Sequence, residues 1–338
     1  MKILTVSDVV HLIKLVGLES FVDRVIEALR ADFTRWSDFH LSSRHAVHFQ
    51  YGVIELMPCA DDCYHAFKYV NGHPDNPQSG KSCVVAIGQL SDSRTGYPLM
   101  LSEMTLLTAV RTAAVGVLAS KYLARNNASS LAMIGTGAQA EFQVVAYHHL
   151  FGLQRLYYFD IDPLAMQKFE QNLASMPFHR IACQSIAEAI ASSDIVVTAT
   201  AAKAHQSLFE LKDIRPGTHI HAMGGDCPGK TEFSADLIRQ CKVVVEYKPQ
   251  SLQEGELQQC PDYPAHAELW ELITGVMPGR VNNQEITLFD SVGFALEDYS
   301  ILRVVYQLAR QYQLGTECLM IPELANPKNL FGLLNVAE

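Results

Sequence analysis

Little in this chain points outward to a charged polymer or a membrane. Charged residues make up only 18% of its 338 positions, and the basic ones are the minority, 26 Lys+Arg against 36 Asp+Glu, a formal charge of −10. A chain built to bind nucleic acid or an anionic lipid surface leans the other way, so neither partner is expected. No run reaches the roughly 18 consecutive apolar residues of a membrane span. Met1-Lys2-Ile3-Leu4-Thr5-Val6 gives way at once to Ser7-Asp8, too short for the apolar stretch of a signal peptide. The eight cysteines, at 59, 63, 83, 183, 227, 241, 260 and 318, contain no CxxC pair. They read as reduced, small apolar residues of a cytoplasmic protein, and no metal ligand set is expected.

What is present is apolar and periodic. Hydrophobic residues make up 49% of the chain, enough for two sizeable cores at about 150 residues per domain. The first 35 residues read as helix, with Ser7 and Ser20 as candidate caps. Val53–Met57, Ala66–Val70, Cys83–Leu90 and Tyr97–Leu101 read as strands, and Glu103–Arg125 as a buried helix. After Asn126-Asn127-Ala128-Ser129-Ser130 the rhythm becomes strand, helix, strand, which marks a parallel α/β sheet. Its expected strands are Leu131–Ile134, Arg155–Phe159, Ile181–Gln184, Asp194–Thr200, Thr218–Met223, Lys242–Glu246 and Ile286–Asp290, with a helix over Ala295–Tyr312 to follow.

The clearest motif is Ile134-Gly135-Thr136-Gly137-Ala138-Gln139-Ala140, a G-x-G-x-x-A between a strand and a helix. Gly135 permits the tight turn, and Gly137 lets backbone approach a pyrophosphate. The small third residue brings helix and strand together, and the helix N-terminus faces the phosphates. Asp160 ends the next strand, 25 residues after Gly135, and is followed by Ile161 and Asp162 rather than Arg. A carboxylate there accepts from a ribose 2′-OH and repels a 2′-phosphate, so the expected cofactor is NAD.

Three cations stand in elements that are otherwise apolar or loop-like: Arg44, Lys68 in Ala66–Val70, and Arg111 in an Ala-rich helix. Each needs an anion, which a protein carboxylate or a ligand can supply. Glu55, in Gly52–Pro58, is the matching acid, either as an ion-pair partner or as a contact for a substrate amine. Met223-Gly224-Gly225-Asp226-Cys227-Pro228-Gly229-Lys230 follows a strand of the α/β region, where ligands collect. Asp226 can exchange protons there, or simply cap a turn. Asp290-Ser291-Val292-Gly293 is another strand-end loop.

These segments together resemble the ornithine cyclodeaminase/mu-crystallin family. The resemblance is carried by Gly52–Pro58, Phe67–Pro74, Gly135–Gln139, Gly224–Glu232 and FDSVGFALEDY from Phe289 to Tyr299, in family order over nearly the whole chain. It implies a Rossmann-type NAD-binding domain (126–315) beside an α+β substrate-binding and dimerisation domain (1–125, with the tail 316–338 packing back on it), in a homodimer. It implies that L-ornithine loses a hydride from Cα, closes on its own δ-amine, releases ammonia, regains hydride and leaves as L-proline. By resemblance Arg44, Lys68 and Arg111 clamp the substrate carboxylate, Glu55 lies near the amines, Val292 touches substrate and Asp226 is the acid/base. Ala138, Gln139, Asp160, Thr200, Lys230 and Ser291 touch the cofactor with Gly135 and Gly137, and Ile220, His221, Ala222 and Met223 line it. Cys83 stands where relatives have a threonine near the nicotinamide. L-Lysine is an alternative substrate, one methylene longer. A net cyclic-imine reductase or opine-type amine dehydrogenase, and a ligand-binding crystallin, are the alternative activities.

Overall fold

The computed structural model describes residues 1–201 and 205–335, the last of these by its backbone only. The chain forms two sheets. The first contains β1 (Lys2–Leu4), β2 (His45–Phe49), β3 (Gly52–Ala60), β4 (Tyr64–Gly72), β5 (Ala86–Asp92), β6 (Pro98–Glu103) and, from the far end of the chain, β15 (Thr316–Glu317). Their order is β15-β1-β6-β5-β4-β3-β2, antiparallel except where β1 runs alongside β6. The second is wholly parallel, in the order β13-β12-β14-β11-β10-β7-β8-β9. Its strands are β7 (Ser130–Ile134), β8 (Arg155–Phe159), β9 (His179–Ala182), β10 (Ile195–Thr198), β11 (His219–Ala222), β12 (Lys242–Val245), β13 (Ala267–Glu268) and β14 (Thr287–Asp290).

The helices are α1 (Val6–Val16), α2 (Leu18–Thr34), α3 (Thr105–Leu123), α4 (Ala140–Phe151), α5 (Pro163–Asn172), α6 (Ile186–Ile190), α7 (Ala235–Ile238), α8 (Lys248–Glu254), α9 (Leu269–Ile273) and α10 (Ala295–Gln311). In α2, Phe21, Val22, Val25, Ile26, Leu29 and Phe33 fall at helical spacing and are buried as one stripe. α3 is apolar all round and lies between the two sheets, against α2, α4, α10, β11 and β14. It is long and apolar enough to cross a membrane, and 83% of its most apolar window is buried inside the protein.

The structure differs from the expected elements in several places. The N-terminus opens with strand β1, and Thr5, not Ser7, caps α1 through a reciprocal bond with Asp8. α2 starts at Leu18, so Ser20 lies inside it. Cys83–Val85 precede β5 rather than belonging to it: Val85 donates its N–H to the Asn71 side chain in place of a ladder bond. α10, grouped by sequence with the nucleotide domain, packs on α2, α3, β3, β4 and β5 of the first layer.

Register explains where a ligand belongs. Ile134 pairs with Phe159 on one side and Thr198 on the other, Thr198 with Ala222, Ala222 with Asp290, and Asp290 with Val245. The strands therefore end in one row. The order reverses at β7, which opens a crevice at the carboxyl edge.

Candidate active site

The residues that leave that row build the site. Gly135 turns at φ +91°, and a Cβ there would meet the Ala199 carbonyl oxygen at 2.6 Å. Gly137 is the opposite case: a Cβ there would meet nothing within 4 Å. It lies just ahead of α4, whose first N–H groups need an acceptor. Buried Gln139 Oε1 has no hydrogen-bond partner. An open backbone cradle at a helix N-terminus fits a dinucleotide pyrophosphate, and the Gln139 carbonyl oxygen is left to accept from a donor such as a ribose hydroxyl. Asp160 latches this loop by accepting from Thr136 N at 2.6 Å, Thr136 Oγ1 at 3.1 Å and Asp162 N at 3.0 Å. Lys168 braces it by donating to the Thr136 and Gly137 carbonyls.

Across the crevice, Thr200 donates its hydroxyl and its amide to Glu232, which also accepts from Thr198 and Gly224. This holds the β10 and β11 ends to the Gly224-Gly225 turn. Met223 lies just beyond β11 and is half-buried. Ile220, His221 and Ala222 lie within β11, paired on both sides, with side chains in the core, and Ala222 stands in the row that borders the crevice. The His221 imidazole faces Tyr147 at 3.2 Å, and burial pushes it down to about 3, so it is neutral. The resemblance implies that their backbone lines the cofactor; in the structure both edges of β11 are paired and the three side chains are buried.

The three expected cations converge. Arg44 Nη1 donates to Glu55 at 2.9 Å, and Nη2 donates to the Val292 and Gly293 carbonyls at 2.8 and 2.7 Å. Its Nε lies 3.0 Å from Glu254 Oε2. Lys68 pairs with Asp298 at 2.8 Å, and Arg111 with Glu297 at 2.9 Å and Asp298 at 3.1 Å. All three side chains are buried. Burial, and the neighbouring Arg111 charge, push the Lys68 ammonium down to about 8. Gly293 at φ +85° makes this packing possible, since a Cβ there would lie 2.8 Å from Arg111 Nη1. Lys230 Nζ reaches Asp226 at 3.0 Å, and the Asp226 charge is felt at Arg44 and Glu254. Ser291 donates to Glu246, which also accepts from the Val292 and Gly293 amides. Cys83 lies in the β4–β5 connection, where its carbonyl accepts from the His73 amide.

A family model for the ornithine cyclodeaminase/mu-crystallin family matches residues 6–313. The chain belongs to that family. Within the ornithine cyclodeaminase/mu-crystallin family it is 44% identical to the ornithine cyclodeaminase of Agrobacterium tumefaciens, over 98% of this chain and 93% of that protein. A lysine cyclodeaminase, solved for its recognition of L-lysine, L-ornithine and L-2,4-diaminobutyric acid, superposes with a TM-score of 0.92 at 29% identity, over 98% of this chain and 99% of that one. An archaeal alanine dehydrogenase dimer with bound NAD gives 0.87 at 31% identity, over 95% and 99%.

Sequence reading missed the acids that surround the clamp: Glu246, Glu254, Glu297 and Asp298, all buried. Glu297 and Asp298 had a usable signal, an adjacent acidic pair in the first turn of α10, where the helix dipole favours negative charge. Burial raises both Glu246 and Glu297, and the Glu246 charge adds to the cost of charging Glu297.

Proposed function

We propose that this protein converts L-ornithine to L-proline and ammonia, using NAD catalytically. The observation that carries the reading is the gathering of Arg44, Lys68 and Arg111 around the Val292–Gly293 turn, within electrostatic reach of Asp226. Three buried cations at one turn suit a ligand carboxylate, which can share them with the protein acids that hold them. The 44% identity to an ornithine cyclodeaminase over nearly the whole chain supports the same reading.

Gly135, Gly137, Ala138, Gln139, Asp160, Thr200, Met223, Lys230 and Ser291 would hold the dinucleotide, with Cys83 at its nicotinamide end. When bound, NAD supplies an acceptor for the substrate Cα hydrogen and its return, which leaves no net redox change. The protein does the rest. Arg44, Lys68 and Arg111 fix the α-carboxylate, with Val292 against the substrate, and so orient Cα and the α-amine. Asp226 takes a proton from the amine as the C2 imine forms, and Lys230 holds that carboxylate in place. The δ-amine then attacks C2 within the same molecule, an encounter favoured by holding both ends of one chain. Asp226 moves the protons that let the α-nitrogen leave as ammonia. Glu55 faces the amines.

A homodimer fits the outer surface of the first sheet, where Val47, Phe49, Leu56, Val85 and Ile87 are each more than 40% exposed. A cytoplasmic place in proline formation fits a chain in which no disulfide forms among the described residues.

The test is one incubation of the protein with L-ornithine and sub-stoichiometric NAD⁺. Proline and ammonia should appear in equal amounts, many per NAD⁺, with no lasting NADH. Stoichiometric NADH would instead identify a net oxidoreductase. Turnover with L-lysine and not L-ornithine would shift the substrate by one methylene, a difference that pockets discriminate by only ~1–3 kcal/mol.

A further inference from the structure

The clamp holds more acid than its cations answer. Around Arg44, Lys68 and Arg111 stand Glu55, Glu246, Glu254, Glu297 and Asp298, all buried. Most have a donor: Glu55 has Arg44 Nη1, Asp298 has Lys68, Glu297 has Arg111, and Glu246 has Ser291 and two amides. Glu297 Oε1 and Asp298 Oδ2 also make no hydrogen bond, but each of those carboxylates is hydrogen-bonded through its other oxygen. Glu254 is hydrogen-bonded through neither. Its Oε2 is buried and lies 3.0 Å from Arg44 Nε, yet neither atom makes a hydrogen bond. The two charges touch without the alignment that would satisfy them.

A buried carboxylate oxygen with no donor is costly to keep, by about 1–3 kcal/mol or more for a charged group, unless something delivers a proton or a cation to it. Burial and the nearby Glu55 and Asp226 charges push the Glu254 carboxyl up to about 7, against the pull of Arg44. Glu254 ends α8 on the nucleotide side of the crevice, whereas Glu55 stands on β3 of the first sheet. The two carboxylates approach one guanidinium from opposite walls.

We infer that Glu254 is a specificity-determining residue, which receives the side-chain ammonium of a diamino acid once the substrate carboxylate occupies Arg44. This rests on the reading of the site as one for a basic amino acid. Glu55 and Asp226 each enter the reaction already held by a cation, Arg44 and Lys230 respectively. Glu254 meets Arg44 by charge alone, with no hydrogen bond to hold it, and so supplies the free acceptor on the wall opposite Glu55. A monoamino acid of the same length leaves that acceptor unanswered, so the site selects for the second amine rather than for chain length.

The experiment titrates L-ornithine and L-norvaline into the full chain with saturating NADH, so that no hydride can leave the amino acid. The two ligands share carbon chain and carboxylate and differ by the δ-amine. The wild-type protein should prefer ornithine. Glu254→Gln should weaken ornithine about tenfold or more, the loss of one charged hydrogen bond, and leave norvaline within about twofold. Equal weakening of both ligands would mean that Glu254 only positions Arg44, and would overturn the inference. So would an unchanged preference in the variant, or no preference in the wild type. Glu254→Asp, which keeps the charge and withdraws it by one methylene, gives the same selective loss if the glutamine variant does not fold. Proline formation by the wild type is scored separately. Its absence would sink the proposed reaction, while the ornithine-to-norvaline ratio would still decide the role of Glu254.

Discussion

The two walls of the crevice prepare for anions in opposite ways. At the Gly135–Gln139 turn the protein offers backbone and empty space: nothing lies within 4 Å of where a Gly137 Cβ would sit. At the clamp it offers three side-chain cations already matched with acids, and Arg44 Nη2 is taken up by two carbonyls as well. The difference follows from desolvation. Amide dipoles carry no net charge and can wait unoccupied beside solvent. Buried guanidinium and ammonium groups cannot, so carboxylates must neutralise them until a ligand arrives. The first wall is therefore indifferent to its ligand's absence, while the second is part of what keeps the fold together.

The comparison can be broken most decisively at Asp226, which belongs to neither wall. Asp226→Asn should lower turnover by about 10²–10⁴-fold, the usual worth of a positioned acid/base, while nucleotide affinity stays near wild type. Steady-state proline formation and a nucleotide titration check it, and wild-type turnover would remove the residue from the proton path. Next in size is Arg111→Ala. It strands Glu297 and leaves Asp298 with Lys68 alone, both acids at most 1% exposed, and should destabilise the fold by roughly 3–5 kcal/mol in chemical denaturation.

A glycine pair sharpens the contrast. Gly137→Ala should leave stability unchanged and weaken NAD binding, because the added methyl enters the cradle and nothing else. Gly116→Ala should do the reverse, losing about 1–3 kcal/mol of stability, because a Cβ there would lie 2.1 Å from His221 Cε1.

The clamp also has a pH signature that the glycine turn lacks. Lys68 falls from 10.5 to about 8 in the folded protein. Below about pH 8 it is charged in both states and destabilises the fold relative to a neutral amine. As pH rises from about 8 to 10.5 the folded state sheds its proton first, so this residue's contribution to stability rises. The clamp loses a cation over the same interval, so pentanoate, a carboxylate with no amine of its own to titrate there, should bind more weakly. A flat pentanoate profile would take Lys68 out of the clamp. The smallest effect is expected at Asp160→Ala, which should reduce the preference for NAD over NADP. It also unlatches Thr136, so a slight loss of stability should accompany it.

The same asymmetry governs what the sequence revealed. Gly135, Gly137 and Asp160 were legible because a local backbone turn writes itself into consecutive residues, and β8 runs from Arg155 to Phe159 as expected. Arg44, Lys68 and Arg111 stood out as cations in apolar surroundings. Their partners did not, because nothing local connects Lys68 with Asp298, 230 positions away. Glu254 ends a short, mostly polar helix, and its meeting with Arg44 exists only once the two layers are packed. The cap at Thr5 was missed for a smaller reason. A three-residue strand precedes it, and its pairing with β6 and β15 comes from distant parts of the chain.

One feature of the parallel sheet constrains how the molecule is made. β14, the last of its strands to be synthesised, lies between β11 and β12 rather than at an edge. A ribosome that has emitted everything up to Glu285 has produced a sheet with a missing slat. β11 and β12 each present a row of unanswered amides and carbonyls to the same gap, the kind of exposed edge that recruits another chain. Closure waits for Thr287–Asp290, and the same late segment delivers Ser291, Val292 and Gly293 to the clamp. The nucleotide fold and the substrate clamp are thus completed in a single late event, and a chain truncated before it should be a substrate for chaperones rather than a half-working enzyme.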